Sequence, residues 1–187
     1  MKKSIVLLSS VLMLLTAFTG CAKKTEKGEF TVEKGKLKIA MEIGYPPFEY
    51  FEKDGRTPAG FDVELGKELA KRLDLEPVFI DTVWDGILAG LDTNRYDVIL
   101  SAMTVTEERK QNYDFANVYI GNGQAICLRT DSKYNITSPE TLVGRRVGYQ
   151  AETTSDFFLE KRKEKGLSFI AAEYDKVLNA FDDLKLG

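Results

Sequence analysis

The chain has 187 residues, of which 26 are basic and 29 are acidic, so its formal net charge is −3. This slightly acidic balance argues against a nucleic-acid-binding surface, which needs a basic patch. The sequence has two cysteines and no histidine, which argues against a zinc site and against a histidine-dependent catalytic triad. Residues 21–187 suffice for one ordinary domain or for two small lobes.

Residues 1–20 have the features of a secretory signal peptide. A basic start precedes an apolar stretch, residues 5–15, that is far shorter than the roughly 20 residues of a membrane-spanning helix. The segment Phe18-Thr19-Gly20-Cys21 resembles the bacterial lipobox, although leucine is more usual at its first position. We therefore expect Cys21 to be acylated and to anchor the protein to the membrane, with residues 21–35 as a tether. The alternative is an ordinary signal peptide with an incidental thiol.

Beyond the tether, predicted strands and helices alternate, which indicates βαβ units and a mostly parallel sheet. The prolines of Tyr45-Pro46-Pro47-Phe48 predict a loop. Asp62 is expected to cap a helix with Leu69 and Leu73 on its apolar stripe. The run Val98-Ile99-Leu100 is typical of a parallel strand buried on both faces. The predicted strands are 36–41, 77–80, 96–100, 125–129, 146–149 and 168–172, and the later predicted helices are 84–91, 139–142, 154–165 and 175–186.

The glycine pair of Gly121-Asn122-Gly123 separates residues 36–121 from residues 122–187. On composition alone, this segment fits a hinge between two lobes and a plain surface turn equally well. The predicted helix 84–91 leads into a strand, but no strand follows the helix 175–186 in the sequence given. We therefore expect the chain to be the N-terminal part of a longer protein, with an incomplete second lobe.

The segment after the predicted strand 96–100 has the features of an anion pocket, because ligands of open α/β sheets bind beyond the carboxyl ends of strands. Thr104-x-x-Glu107 fits a capping box and predicts a helix start, whose free N–H groups attract anions. Arg109 could grip a carboxylate with two parallel hydrogen bonds. The simpler alternative, in which Thr104 only caps a helix and Arg109 pairs with Glu108 or solvent, is favoured when the segment is considered alone.

Aromatic and acidic residues occur at the same predicted sheet edge. Trp84, the only tryptophan, could cover an aliphatic stem or a cation at a pocket mouth, or it could simply pack in the core. Tyr45 and Phe48 lie on the proline loop after the first strand. Glu42 could receive a cationic group, although an exposed glutamate is the simpler interpretation.

Five motifs follow one another along the chain: Tyr45-Pro46-Pro47-Phe48-Glu49, Gly60-Phe61-Asp62-Val63-Glu64-Leu65, Trp84-Asp85-Gly86-Ile87, Tyr96-Asp97-Val98-Ile99 and Met103-Thr104-x-Thr106-x-Glu108-Arg109. As a set in this order, they resemble the polar amino acid-binding receptors of ABC importers, the bacterial extracellular solute-binding proteins of family 3. The resemblance implies an α/β, two-lobed periplasmic-binding-protein-like (type II) fold with mostly parallel sheets. Its second lobe and return crossover would be incomplete here.

The resemblance also implies which residues bind the α-carboxylate and the α-ammonium group of an amino acid ligand. Arg109 would hold the α-carboxylate with help from Thr104, and Thr154 would contact the carboxylate from the second lobe. The Ala102 carbonyl and Thr104 would meet the α-ammonium group. The acidic residue that pairs with this ammonium in the family is expected beyond the last residue given. The implied ligand-binding residues are Glu42, Tyr45, Trp84, Ser101, Ala102, Thr104, Arg109 and Thr154.

The side chain of the ligand would lie between Trp84 and Tyr45, with Glu42 near its far end, which favours a polar or cationic amino acid. The sequence departs from the family pattern at Glu152, where glycine is usual. This glutamate could alter the loop before Thr154 or carry a negative charge to the cleft rim.

The resemblance implies a monomeric, lipid-anchored receptor outside the cytoplasm that delivers a free amino acid to an ABC transporter permease. No metal or cofactor is implied. A sensor input domain is one alternative. A dehydratase-like enzyme is another, and for it the sequence offers only Glu42 and Glu152 as acid–base candidates in the cleft.

Overall fold

The computed structural model of the protein describes residues 30–121 and 123–187. The predicted signal peptide, Cys21 and most of the predicted tether lie outside the described residues, as does Asn122 of the predicted hinge. The described strands are β1 (Lys36–Met41), β2 (Tyr50–Phe51), β3 (Pro58–Ala59), β4 (Glu76–Asp81), β5 (Val98–Ile99), β6 (Arg146–Gln150) and β7 (Ile170–Tyr174). The described α-helices are α1 (Phe61–Leu73), α2 (Ile87–Asp92), α3 (Thr154–Glu164) and α4 (Val177–Leu186), with short 3₁₀ helices at Trp84–Gly86, Arg109–Gln111 and Pro139–Leu142.

The first half of the chain is built around a parallel sheet with strand order β4-β1-β5. The central strand β1 confirms the prediction for residues 36–41 and is buried at Ile39, Ala40 and Met41. Helix α1 packs on one face of the sheet and α2 on the other, so two apolar clusters sandwich it. This arrangement places the carboxyl end of β1 at the centre of one edge.

The third strand is shorter and more exposed than the sequence predicts. Residues 96–100 were expected to form a strand buried on both faces, but β5 pairs only at Val98 and Ile99 and only with β1. Val98 is 36% exposed. The prediction of burial on both faces is wrong for this residue, because β5 lies at an edge of the sheet as described.

Helix α1 begins differently from the prediction. Gly60 is its N-cap residue, and the Asp62 carboxylate does not cap the helix but is fully buried against the segment after β5. Leu69 and Leu73, predicted to face inward, are 39% and 46% exposed. The helix instead meets the sheet through Val63, Gly66 and Ala70, and a Cβ atom at Gly66 would come within 2.8 Å of the Ile39 side chain.

The second half of the chain contains a smaller parallel sheet, in which β6 pairs with β7. The strand at residues 146–149 and the helices at 139–142 and 154–165 are confirmed within one residue at their ends, and β7 starts two residues later than predicted. Helix α4 has no buried residue, and the predicted inward residues Leu178 and Phe181 are each 38% exposed.

Two further predictions are wrong. Residues 125–129 form no strand, because they pair with no other strand within the described chain. No helix starts at Thr104: the chain stays irregular until the 3₁₀ helix at Arg109–Gln111, and the Arg109 guanidinium takes the Thr104 carbonyl instead. The anion-binding helix start expected there is therefore not formed.

The C-terminal part of the predicted tether contacts the first sheet. The Val32 N–H donates to Asp97 Oδ1 at 2.6 Å, and Glu33 forms ion pairs with Lys36 and Lys38. Within residues 30–121 and 123–187, none of the helices combines the length and the apolar character needed to cross a bilayer.

Candidate functional site

A cavity of about 140 Å³ lies between the two halves of the chain. Its lining residues come from the carboxyl ends of β1 and β6, from the segment after β5 and from the start of α3. Open α/β sheets bind their ligands in this position. All eight residues predicted as ligand contacts line it: Glu42, Tyr45, Trp84, Ser101, Ala102, Thr104, Arg109 and Thr154. The structure thus brings the predicted set together, although their contacts with a ligand remain a prediction.

Arg109 is the most unusual charge in the cavity. Its side chain is only 8% exposed, and no described carboxylate lies within ion-pair distance of it. Its guanidinium donates to the Thr104 carbonyl at 2.9 Å and to the Glu152 carbonyl at 3.4 Å. Burial lowers the pKa of this guanidinium from its usual value. A buried cation that has carbonyl partners but no carboxylate partner among the described residues is poised to receive an anion.

Trp84 forms one wall beside this cation. The Arg109 Cζ atom lies 5.6 Å from the centre of the Trp84 ring, a cation–π geometry. The Trp84 indole N–H donates to the Glu152 carbonyl at 3.1 Å. Trp84 is half-buried: it lines the cavity and also packs against the apolar cluster of Ala40, Ile87 and Tyr96, so both interpretations of this residue hold in part. Tyr45 stacks on Phe48 with ring centres 5.7 Å apart, and the predicted sandwich of a ligand between Tyr45 and Trp84 stays a prediction.

Glu42 is buried, so the simpler interpretation of an exposed glutamate is wrong. It is 5% exposed, and its Oε2 accepts a 2.7 Å hydrogen bond from the Gln150 amide across the cavity. Its Oε1 is buried without a described partner. Burial raises the pKa of the Glu42 carboxyl above its usual value, and the Gln150 hydrogen bond opposes this shift. A cationic group would supply the missing partner and stabilise the charged form.

The segment after β5 offers backbone groups and one hydroxyl to the cavity. The Ser101 hydroxyl is already engaged, since it donates to Glu49 Oε1 at 2.6 Å and accepts from the Glu42 N–H. The Ala102 N–H points to Asp62 Oδ2 at 2.7 Å. No described donor reaches the Ala102 carbonyl or the Thr104 hydroxyl. These two groups remain available to a ligand.

The start of α3 closes the cavity from the second half of the chain. Thr153 caps the helix by accepting the Asp156 N–H. The Thr154 hydroxyl accepts a 2.9 Å hydrogen bond from the Gln124 amide, whose carbonyl oxygen accepts from Ser155 at 2.8 Å. Gln124 therefore fixes the chain connection to the helix start, where free N–H groups favour negative charge.

Comparison with known proteins decides the family. Residues 37–184 match the bacterial extracellular solute-binding proteins, family 3. The chain belongs to this family. The L-cystine-binding protein TcyJ of Escherichia coli (strain K12) is 34% identical over 155 residues, which are 83% of this chain and 57% of the relative. The arginine-binding extracellular protein ArtP of Bacillus subtilis (strain 168) is 36% identical over 166 residues, or 88% of this chain and 60% of the relative.

Among solved structures, holo ArgBP from T. maritima superposes with a TM-score of 0.75 at 38% sequence identity, covering 82% of this chain and 66% of that chain. This agreement shows the two-lobed type II binding-protein fold predicted from the motifs. This family 3 chain spans less than two thirds of the length of the curated relatives described above.

Sequence reasoning missed five polar residues at the cavity of this family 3 protein: Glu49, Gln124, Gln150, Thr153 and Ser155. Gln150 ends strand β6, so the rule that sites lie at the carboxyl ends of parallel strands could have found it. Gln124 acts from a segment without regular structure, and Glu49 follows the proline loop. No spacing pattern marks either of them. Within the described chain, no cluster of acidic or cysteine side chains is arranged to hold a metal ion.

Proposed function

We propose that this family 3 protein binds a free amino acid in the cavity, with a cationic or polar side chain favoured. The observation that carries the proposal is Arg109, a buried guanidinium that faces the cavity without a described carboxylate partner. An α-carboxylate would provide that partner through two parallel hydrogen bonds. The start of α3, with Thr154, would contact the same carboxylate from the other side.

The amino group of the ligand would bind to the segment after β5. The Ala102 carbonyl and the Thr104 hydroxyl both line the cavity and lack a described donor. An α-ammonium group carries three donors and can bridge two such acceptors. The two sets of contacts together would recognise the backbone that all amino acids share.

The side chain of the ligand would extend toward Glu42, between Trp84 and Tyr45. The unpartnered Oε1 of Glu42 favours a cation or a hydrogen-bond donor and opposes a carboxylate. The name of one relative agrees with this preference, since ArtP is named for arginine. An acidic amino acid should bind poorly.

We further propose that the protein works outside the cytoplasm, where it delivers its ligand to an ABC importer as a monomer anchored through acylated Cys21. Family membership supports this role, and the lipobox-like sequence supports the anchor. Binding without catalysis is favoured because the sequence contains no histidine and the carboxyl group of Glu42 already accepts a hydrogen bond from Gln150. No specific observation favours a sensor input domain.

The proposal is tested by titration calorimetry of the chain with L-arginine, L-lysine, L-glutamine and L-glutamate. L-arginine, L-lysine or L-glutamine should bind more tightly than L-glutamate. Arg109→Ala should weaken binding about a hundredfold or more, because two charge-assisted hydrogen bonds are each worth about 1.5–3 kcal/mol. Its circular dichroism should be unchanged.

Arg145→Ala is the matched control. Arg145 also stacks on an aromatic ring, at 3.9 Å from the centre of Tyr134, but it does not line the cavity. This variant should bind as the wild type does. Tightest binding of L-glutamate, or unchanged affinity in Arg109→Ala, would contradict the proposal.

A further inference from the structure

Two buried acids, Glu49 and Asp62, lie at the base of the cavity, and Glu49 is one of its lining residues. Glu49 and Asp62 are each 0% exposed, and no described cation is within ion-pair distance of either. Each carboxyl group has one oxygen with a hydrogen-bond donor and one without: Glu49 Oε2 and Asp62 Oδ1 are buried and unpartnered. Two ionised carboxylates in such a place would be strongly unfavourable.

A single shared proton resolves this conflict. The Asp62 N–H donates to the Phe48 carbonyl next to Glu49, and the two carboxyl groups accept from the neighbouring residues Ser101 and Ala102, so the pair lies close together. A proton on Glu49 that is donated to Asp62 would give both unpartnered oxygens a partner and leave one negative charge instead of two. Burial first, and then the neighbouring Asp62 charge, raise the pKa of Glu49 to about 8. The other titratable groups facing the pair are Glu42, whose charge acts in the same direction, and the phenols of Tyr45 and Tyr119.

The other oxygen of each carboxyl group forms hydrogen bonds with the segment after β5, at Ser101 and Ala102. Asp62 Oδ2 accepts the Ala102 N–H at 2.7 Å and the Tyr119 hydroxyl at 2.9 Å. Glu49 Oε1 accepts the Ser101 hydroxyl at 2.6 Å. Ala102 has a φ of +44°, a left-handed conformation that an L-residue keeps only when its surroundings impose it.

We propose that Glu49 and Asp62 are positioning residues that share one proton and hold Ser101 and Ala102 in the conformation that presents the Ala102 carbonyl to the ligand. This inference rests on the proposed function of the cavity. It adds that the site is built for the protonated pair. When Glu49 loses its proton, two adjacent negative charges repel each other. We expect the hydrogen bonds that hold Ser101 and Ala102 to weaken, and the affinity for the amino acid to fall.

The experiment compares the wild type with Glu49→Gln, Glu49→Ala and Asp62→Asn, using L-arginine as the probe from pH 6 to pH 9. Wild-type affinity should fall as the pH rises through about 8. Glu49→Gln keeps a donor that cannot ionise, so it should bind within about threefold of the wild type at pH 6 and show a flatter profile. Glu49→Ala and Asp62→Asn should bind at least about tenfold more weakly at every pH.

Asp97→Asn is the matched control. Asp97, like Asp62, accepts two hydrogen bonds, here from the Val32 and Lys38 N–H groups, but it does not line the cavity. This variant should lose stability and still follow the wild-type pH profile of affinity. Unfolding curves for every variant separate a loss of folding from a loss of positioning.

Two ligand-free measurements keep the inference distinct from the proposed function. Since the folded-state pKa of Glu49 is raised, the folded protein binds more protons than the unfolded chain between about pH 4.5 and 8. Its free energy of unfolding should therefore fall as the pH rises through that window, and less so in Glu49→Gln. The Ala102 amide should also exchange faster with solvent in Asp62→Asn than in Asp97→Asn.

If the wild type does not bind L-arginine, arginine is not its ligand, and the ligand-free measurements still test whether Glu49 and Asp62 position Ser101 and Ala102. An unchanged Ala102 exchange rate in a folded Asp62→Asn protein overturns the positioning role. A Glu49→Gln variant whose stability keeps the full wild-type pH dependence overturns the shared proton.

Discussion

Glu152 contributes to the site through its backbone. Its φ of +56° is in the left-handed region that favours glycine, which gives a physical reason for the glycine usual at this position of the family. Its carbonyl accepts hydrogen bonds from Trp84 and Arg109, and its N–H donates to Asp156. The Glu152 residue is largely exposed, and the partial desolvation of its carboxyl group together with the nearby Asp85 charge raises the pKa of that group.

The free energy of unfolding of Glu152 variants should therefore follow how readily each residue adopts the left-handed backbone conformation. Glu152→Gly should change the free energy of unfolding by no more than about 1 kcal/mol, because relief of about 1–2 kcal/mol of strain is offset by the greater entropy that glycine loses. Glu152→Val should destabilise by more than about 1 kcal/mol, because a β-branched residue is an outlier at positive φ. Urea unfolding measures both changes.

The control for these substitutions is Glu173→Val on strand β7. Glu173 is also exposed, but its extended backbone accepts a β-branched residue readily. A Glu152→Val protein as stable as Glu173→Val would show that the left-handed conformation does not constrain this position.

Helix α2 is held against its sheet by a contact that leaves no room for a side chain at Gly90. A Cβ atom added there would lie 2.1 Å from the Tyr96 hydroxyl and 2.5 Å from its ring. Tyr96 is 1% exposed, and its hydroxyl donates to the Ile87 carbonyl of the same helix. Helix α2, the Tyr96 ring and strand β5 thus pack together as one unit.

Gly90→Ala should therefore destabilise the protein by about 1–3 kcal/mol or more through overpacking, although alanine is the better helix former by about 1 kcal/mol. Gly86→Ala is the neighbouring control, since a Cβ atom there would meet only Val83 at 3.8 Å. Thermal unfolding of both variants checks the difference. Equal melting temperatures would mean that α2 moves away from Tyr96 without loss.

The same elements show how far sequence reasoning reaches. Strand β1 and helix α3 follow from local patterns, and the cavity residues come together because the carboxyl ends of parallel strands meet at one edge. The capping-box prediction at Thr104 failed because Arg109, five residues away, takes the Thr104 carbonyl. The burial of Asp62 also depends on a distant segment, so local spacing gives no sign of it.

On the scale of the whole molecule, polar contacts across the cavity join two halves of the chain whose apolar cores differ in size. Gln150 donates to Glu42, while Trp84 and Arg109 both donate to the Glu152 carbonyl. The first half buries two apolar clusters around β1, whereas the described core of the second half has three buried residues, Leu142, Tyr149 and Leu159. The second half therefore depends more on its contacts with the first half.

Hydrogen exchange measured by mass spectrometry should show this difference in the chain as given. Ile39 and Ala40 of β1 pair with strands on both sides and are 0% exposed, so their amides should exchange at least about tenfold more slowly than those of β6, which pairs only with β7 among the described strands. A bound amino acid that contacts Arg109 and Thr154 stabilises only the folded, joined state. L-arginine should therefore slow exchange in β6 and in residues 150–156 more than in β1.

The two strands, compared within one sample, control for pH and temperature. Equal protection of β1 and β6 without ligand would mean that the two halves unfold as one cooperative unit.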